Sequence, residues 1–379
     1  MENIKKILVI NFGGIGDEIL FLPTLISLKK EFPDSTITLA LEPRSKGIKD
    51  LTDIIDEVFL IDVKGTSKNN IKPKVFKNAS WLNFPPPLRG RVRVGGLSRD
   101  KKDVFRGTLK SKHKYFELLK LIFLAQKGRF DLVISSGANK FISILLFLTG
   151  IKFRYGYNSG KLSEILLTKA IPLNKNQYAC DMYHDLITPI TKTKTKLPQI
   201  KLEPVQKEPN TILIHPGVSK LSVQMGMIKT IPAEKWAKVI DLLLEKGKKV
   251  ILAGGPDDKD CIEAIRTTLL NKESENFVDY YGKTKSLIDL AKLISSSEKF
   301  VCSDSAPLHI AVALKTQTYV IFGPTDEKKL IPQSPDVIAI KQSDDCPLKP
   351  CLWEKRQTTC ENIICLDIKT KDIVETILL

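Results

Sequence analysis

The stretch ILVINFGGIGDEILFLPTL, residues 7–25, decides how the rest of the chain is read. Ile7 to Ile10 form a short apolar run fit for a strand buried on both faces. A glycine turn follows, with Gly13, Gly14 and Gly16, and then an apolar-periodic segment expected to be helical over 17–31. Pro23 suits such a helix only near its first turns or at a kink. Strand, glycine turn and helix in that order make the usual frame of a phosphate-binding loop. Yet Asp17 stands where the phosphate would sit, and a carboxylate repels one. The stretch therefore announces an α/β unit but leaves its loop two possible duties: presenting a carboxylate, or merely capping a helix.

The same alternation continues along the chain. Residues 4–10, 36–41, 57–62 and 131–136 read as strands, and 115–127 and 140–150 as helices, the second ended by Gly150. It restarts at 210–217, with further strands at 249–255, 299–304 and 318–323 and helices at 232–246, 258–270, 285–296 and 306–314. Strands alternating with helices predict parallel sheets wound on both faces. Residues 191–209 are rich in Pro, Thr and Lys, lack apolar periodicity and read as a linker. The expected organisation is a first domain over 1–190, a second over 210–365, and a short amphipathic helix within 366–379 that packs back toward the first domain.

The 379 residues suffice for two such domains, and 42% hydrophobic with 27% charged residues is a globular composition. The longest strongly apolar stretch, FISILLFLTGI (141–151), is too short to span a bilayer. The N-terminus lacks a signal-peptide pattern, which predicts a cytoplasmic protein. The seven cysteines are then expected to be reduced thiols. The net charge of +16 is concentrated, because residues 68–114 hold 14 Lys or Arg and 2 Asp or Glu. Residues 64–114 are read as a basic, flexible insertion. Its 77–112 portion, with a proline triplet and Arg-Gly alternation, suits neither a helix nor a central strand. A basic face steers anionic partners, an anionic membrane surface among them. Trp81, Phe84 and Phe105 are too sparse for a nucleic-acid reader, so no nucleic-acid partner is expected.

Candidate site residues gather at the ends of the second domain's strands, where open α/β sheets bind ligands. In CSDSAPLHIA (302–311), Ser305 reads as an N-cap and Pro307 as an early-turn residue, and a helix start with free N–H groups suits a diphosphate. Asp304 can orient that loop, bind a sugar hydroxyl or cap the helix. His309, one turn in, can face the same site or pack in the core. HPGVS (215–219) offers Ser219 as a phosphate donor. Lys229, just before Pro232 and a helix, can neutralise a phosphate. In AGGPDDKD (253–260), Asp257 suits sugar or ribose hydroxyls, and in FGPTD (322–326) Thr325 is a further donor. There is no Walker lysine loop and no G-x-S-x-G, so these residues alone name no reaction.

Taken together, ILVINFGGIGDEILFLPTLISLKKEFP, HPG, KTIPAEKW, LAGGPDD, SDSAPLHIAVAL and FGPTDE resemble, in order and spacing, the motifs of the glycosyltransferase family 9 heptosyltransferases. The resemblance covers nearly all of the chain outside 64–114 and the linker. It implies the GT-B arrangement, an α/β fold of two Rossmann-like domains facing a cleft. The second would bind a nucleotide sugar, usually ADP-heptose. The first would bind a lipopolysaccharide core or lipid A–Kdo acceptor. It further implies an inverting reaction without a catalytic metal or other cofactor, carried out in the cytoplasm, at the inner face of the membrane. Asp17 matches the family's general base, Lys229 its donor-phosphate lysine, and Asp304, Ser305, Ala306 and His309 its diphosphate loop. Gly13, Gly14 and Gly16 would admit the acceptor. Ala306 departs from a frequent glycine but keeps its N–H. Ser219 lies ten positions before Lys229, farther than in many relatives.

Cys346, Cys351, Cys360 and Cys365 form a C-x4-C-x8-C-x4-C pattern. Four thiolates can hold structural zinc, but the spacing is loose and packed or redox-variable thiols are the expected reading. No metal is assigned to the site.

Overall fold

The computed structural model describes residues 4–65, 101–219, 222, 227–342, 346, 348–351 and 363–379, with side chains of the 101–128 helix described from 113 on. The chain divides into two compact units that meet in sequence between Gln199 and Ile200.

The first unit is built on β1 (Lys6–Ile10), α1 (Ile15–Glu31), β2 (Thr36–Leu41), β3 (Glu57–Leu60), α2 (Lys101–Gly128), β4 (Leu132–Ser135), α3 (Lys140–Leu148), β5 (Phe153–Tyr157), α4 (Lys161–Leu166), β6 (Lys169–Ile171) and α5 (Ala179–Asp185). Its sheet is wholly parallel, in the order β3-β2-β1-β4-β5-β6. Chain order reverses between β1 and β4, which makes the crevice beyond their carboxyl ends the natural ligand position. Ile7, Leu8 and Val9 are fully buried, as a central strand covered on both faces requires.

The second unit repeats the plan with β7 (Glu208–His215), α6 (Ala233–Glu245), β8 (Lys249–Leu252), α7 (Lys259–Thr268), β9 (Phe277–Asp279), α8 (Leu287–Ser296), β10 (Ser297–Ser303), α9 (Ala306–Leu314), β11 (Gln317–Phe322), α10 (Glu327–Leu330), β12 (Val337–Lys341) and α11 (Thr370–Leu378). The order β12-β11-β10-β7-β8-β9 is the same topology, with its switch point between β7 and β10. Trp236 on α6 is fully buried in this unit's core beside Ile240 and Val301.

Two expectations are corrected. Helix α1 begins at Ile15 rather than 17 and runs through Pro23, its ninth residue. Proline there denies the Ile19 carbonyl its helical donor, and burial of the surrounding helix outweighs that loss. Helix α2 starts at Lys101, so the segment read as an insertion to 114 is helical in its last turns; that stretch is free of proline and rich in Lys, a good helix former. The rest of the basic segment, 66–100, lies outside the described residues. The final helix packs on α6 of its own unit, with Ile373, Val374 and Ile377 in that unit's core. Among the described residues, no helix is long and apolar enough to cross a membrane.

Candidate active site

At the first unit's switch point the parallel register sets the end of β1 beside the end of β4, pairing Ile10 with Ser135. The next residues then bond through their side chains, Ser136 Oγ donating to Asn11 Oδ1 at 2.7 Å. The glycine turn follows. Gly14 N–H donates to Asp17 Oδ2 at 2.7 Å, and the Tyr183 hydroxyl donates to Asp17 Oδ1 at 3.3 Å. Asp17 is thus held from both sides at the third position of α1. A Cβ on Gly13 would stand 2.4 Å from the Asp17 Cβ, so only glycine lets the carboxylate fold back over the turn. Gly14 precedes the helix and Gly16 lies in its first turn.

Around this turn the structure adds groups that the sequence reading did not single out. Glu18 is buried and accepts from Asn11 Nδ2 at 3.1 Å; burial, then the neighbouring Asp17 charge, push its carboxyl well above the usual range. Glu42, at the end of β2, is fully buried, and burial pushes it up to about 7 against the opposing pull of Lys64. Arg44 Nη2 donates to the Gly13 carbonyl at 3.3 Å and Lys64 Nζ to the Phe12 carbonyl at 2.6 Å. A charged residue in an otherwise apolar helix face was the one visible sign of Glu18.

At the second unit's switch point, Lys229 Nζ lies 3.0 Å from Asp304 Oδ2, and the same oxygen accepts from Thr325 Oγ1 at 2.9 Å. Asp304 and Thr325 are buried. Three separate loops, preceding α6 and following β10 and β11, therefore converge on one carboxylate. Asp304 is a loop organiser here, one of the roles open from sequence. Ser305 occupies the N-cap position of α9, but its Oγ donates to the Ser303 carbonyl at 3.4 Å instead of capping. Ala306 opens that helix, and His309 lies buried one turn further on.

A second layer fixes the lysine loop. Trp236 Nε1–H donates to Thr230 Oγ1 at 2.9 Å, Thr230 Oγ1 donates to the Pro216 carbonyl at 2.8 Å, and Ser303 Oγ donates to Thr230 Oγ1 at 2.8 Å. This clip joins the HPG turn, the residue after Lys229 and the end of β10. None of Thr230, Ser303 or Trp236 was predicted. Ser219 Oγ lies 2.9 Å from Ser222 Oγ. Asp257 is exposed in the turn after β8, and its neighbour Asp258 is the buried acid, with Oδ2 3.7 Å from His215 Nε2. Burial pushes His215 down and Asp258 up, each restrained by the other. A Cβ on Gly217 would meet Asp258 Oδ1 at 1.8 Å.

Among the described residues no group of His, Cys, Asp or Glu is arranged to hold a metal. Cys360 lies outside the described residues.

The profile of glycosyltransferase family 9 (heptosyltransferase) matches residues 124–360. Lipopolysaccharide heptosyltransferase 3 of Escherichia coli K12 is 23% identical over 341 residues, 85% of this chain and 84% of that protein. Lipooligosaccharide heptosyltransferase 2 of Haemophilus ducreyi is 28% identical over 188 residues, 49% of this chain and 51% of that protein. Among solved structures, E. coli ADP-heptose lps heptosyltransferase II superposes with a TM-score of 0.67 at 18% identity, covering 98% of this chain and 96% of that one. E. coli heptosyltransferase WaaC with ADP-2-deoxy-2-fluoro heptose gives 0.61 at 14% identity, covering 89% and 93%.

Proposed function

The chain belongs to glycosyltransferase family 9, and from that premise we propose that it transfers a heptose from ADP-heptose to the inner core of lipopolysaccharide, with inversion at the anomeric carbon. The observation that carries this reading is the Lys229–Asp304–Thr325 cluster beside the start of α9. A cation held next to a helix N-terminus suits a nucleoside diphosphate. The names of the relatives suggest the sugar and the acceptor.

In this mechanism the acceptor hydroxyl oxygen attacks the anomeric carbon as the bond from that carbon to the ADP oxygen breaks. The hydroxyl proton passes to Asp17, and ADP departs with the bonding electron pair. Asp17 is suited to this as a carboxylate fixed by two hydrogen bonds. Lys229 and the N–H groups from Ala306 onward stabilise charge growing on the diphosphate. Asp304 aims Lys229, Thr325 locks Asp304, and His309 backs the loop. Ser219 and Asp257 contact phosphate and ribose at the rim. Gly13, Gly14 and Gly16 let the acceptor sugar approach the backbone. Acceptor activation is thereby assigned to the first unit and donor binding to the second.

The test combines calorimetric ADP binding with transfer assays using ADP-heptose, UDP-sugars and GDP-sugars, in EDTA. Lys229→Ala should weaken ADP at least tenfold, a loss of about 1.4 kcal/mol. Transfer from a UDP- or GDP-sugar in preference to ADP-heptose would reassign the donor. Normal transfer by Asp17→Ala would remove the proposed base.

A further inference from the structure

Large apolar side chains left exposed are unevenly shared between the two units. In the second, those described are scattered singly, as at Leu270 and Leu348. In the first, nearly all lie on three successive helices, α2, α3 and α4, which pack on one another. On α2 the residues turned into the core are Leu121 and Ala125, beside Leu145 and Leu146 of α3. Phe116, Leu119 and Phe123, at i, i+3 and i+7, form a stripe on the side away from that core. Phe141 and Leu148 of α3 and Ile165 of α4 continue the surface, and these six are between 50% and 76% exposed. Isolated exposed apolar residues need no explanation, but a cluster on neighbouring helices marks an interaction surface.

Its charge indicates the partner. The exposed ionisable groups described on these helices are Lys114, Lys120, Lys127, Lys140 and Lys161, against Glu164. Cations sit over the rings as well: Lys140 Nζ is 5.5 Å from the Phe141 centroid, and Arg154 Cζ is 5.7 Å from that of Phe147. Protein interfaces are depleted of lysine at their cores. A second copy meeting this face across a two-fold axis would set lysines against lysines. A bilayer surface accepts both features, with aromatic and aliphatic groups entering at the acyl boundary and lysines reaching back to the headgroups. We propose that the α2–α3–α4 face of the first unit docks on the surface of an anionic phospholipid bilayer, lying on it without spanning it. This deepens the proposed function and rests on its lipid-borne acceptor, which such docking would bring to the unit that carries Asp17.

The test is flotation of the full chain with vesicles of phosphatidylcholine alone and of roughly 3:1 phosphatidylcholine to phosphatidylglycerol. These vesicles hold no glycolipid, so binding is read independently of sugar transfer. The wild type should float with the anionic vesicles and much less with the neutral ones, and high salt should weaken binding. Phe116→Ser/Phe123→Ser should lower the partition coefficient about tenfold, from the apolar area withdrawn. Lys127→Glu/Lys140→Glu should also lower it. Both variants should keep ADP binding and transfer to a water-soluble acceptor, because the substitutions lie at exposed positions. Failure of the wild type to float, or undiminished flotation of the Phe variant, would overturn the docking. So would sedimentation velocity showing that the Phe variant breaks a dimer while vesicle binding is unchanged. Flotation by a protein that transfers no sugar in any of the transfer assays would leave the docking standing and overturn the transferase reading alone.

Discussion

Replacing Lys229 with methionine keeps the length of the side chain and removes its charge. The ammonium lies 3.0 Å from the Asp304 carboxylate, which is 4% exposed and otherwise accepts from Thr325. At an effective dielectric near 20, two unit charges at that distance attract by about 5 kcal/mol before desolvation is counted. Removing one partner of such a buried pair costs about 3–5 kcal/mol, because the carboxylate stays buried without its counter-ion. Spread over a unit of this size, that is a fall of about 6–20 °C in the melting temperature of the second unit. Asp304→Asn should cost less, about 1–2 kcal/mol. Its amide oxygen still accepts from Thr325, and Lys229, 15% exposed, can turn toward water. The double variant should therefore be more stable than the sum of the single effects predicts, by about 2 kcal/mol or more. Scanning calorimetry on the four proteins measures this cycle, and ADP titration on the same samples separates stability from binding. A loss below about 1 kcal/mol for Lys229→Met, or strictly additive single effects, would refute the claim that the Lys229–Asp304 pair holds these loops together.

Other expectations follow from the same geometry. Asp17→Asn keeps an acceptor for the Gly14 N–H, so stability should fall by about 1 kcal/mol or less while kcat falls about 10²–10⁴-fold; equal losses in the two would reduce Asp17 to a cap. The Glu42 carboxyl, raised from 4.5 to about 7, ionises at a cost that appears as pH climbs through that window. Glu42→Gln should accordingly raise the unfolding free energy relative to wild type more at pH 8 than at pH 5, by up to about 3 kcal/mol, and a pH-independent difference in thermal denaturation would contradict the burial argument. Gly217→Ala places a Cβ against Asp258 and should destabilise the second unit by about 2–4 kcal/mol, with partial recovery in Gly217→Ala/Asp258→Ala. No recovery in thermal denaturation would mean that the strain lies elsewhere.

The central strands were legible because a strand buried on both faces must be continuously apolar, as ILVI of β1 and VIL of β8 are. The edge strands β6 and β9, three residues each, carry no such run and were not read from sequence; β12 was not read either, although it holds the apolar run VIAI. Pairing with a neighbouring strand defines them, and that information is not local. The site divides in the same way. Glycine turns, Asp17, Lys229 and the SDSAP loop have local signatures. Thr230, Ser303 and Glu42 act through contacts made by packing, and nothing beside them in sequence marks them.

The two switch points share one topology but differ in charge, and that difference decides what each can hold. Around the first turn stand Asp17, Glu18 and Glu42, two of them buried. Arg44 is committed to the Gly13 carbonyl and Lys64 to that of Phe12, where they brace the turn from outside. A diphosphate entering there would meet carboxylates. At the second, the acid is Asp304, already matched by Lys229, and the helix start behind it offers N–H groups. The glycine turn of the first unit therefore has the backbone of a phosphate loop but an acidic surrounding, which agrees with the proposal that it presents a base rather than a phosphate. Its glycine at position 13 leaves room for an inward-folded carboxylate, and no phosphate is needed to account for it.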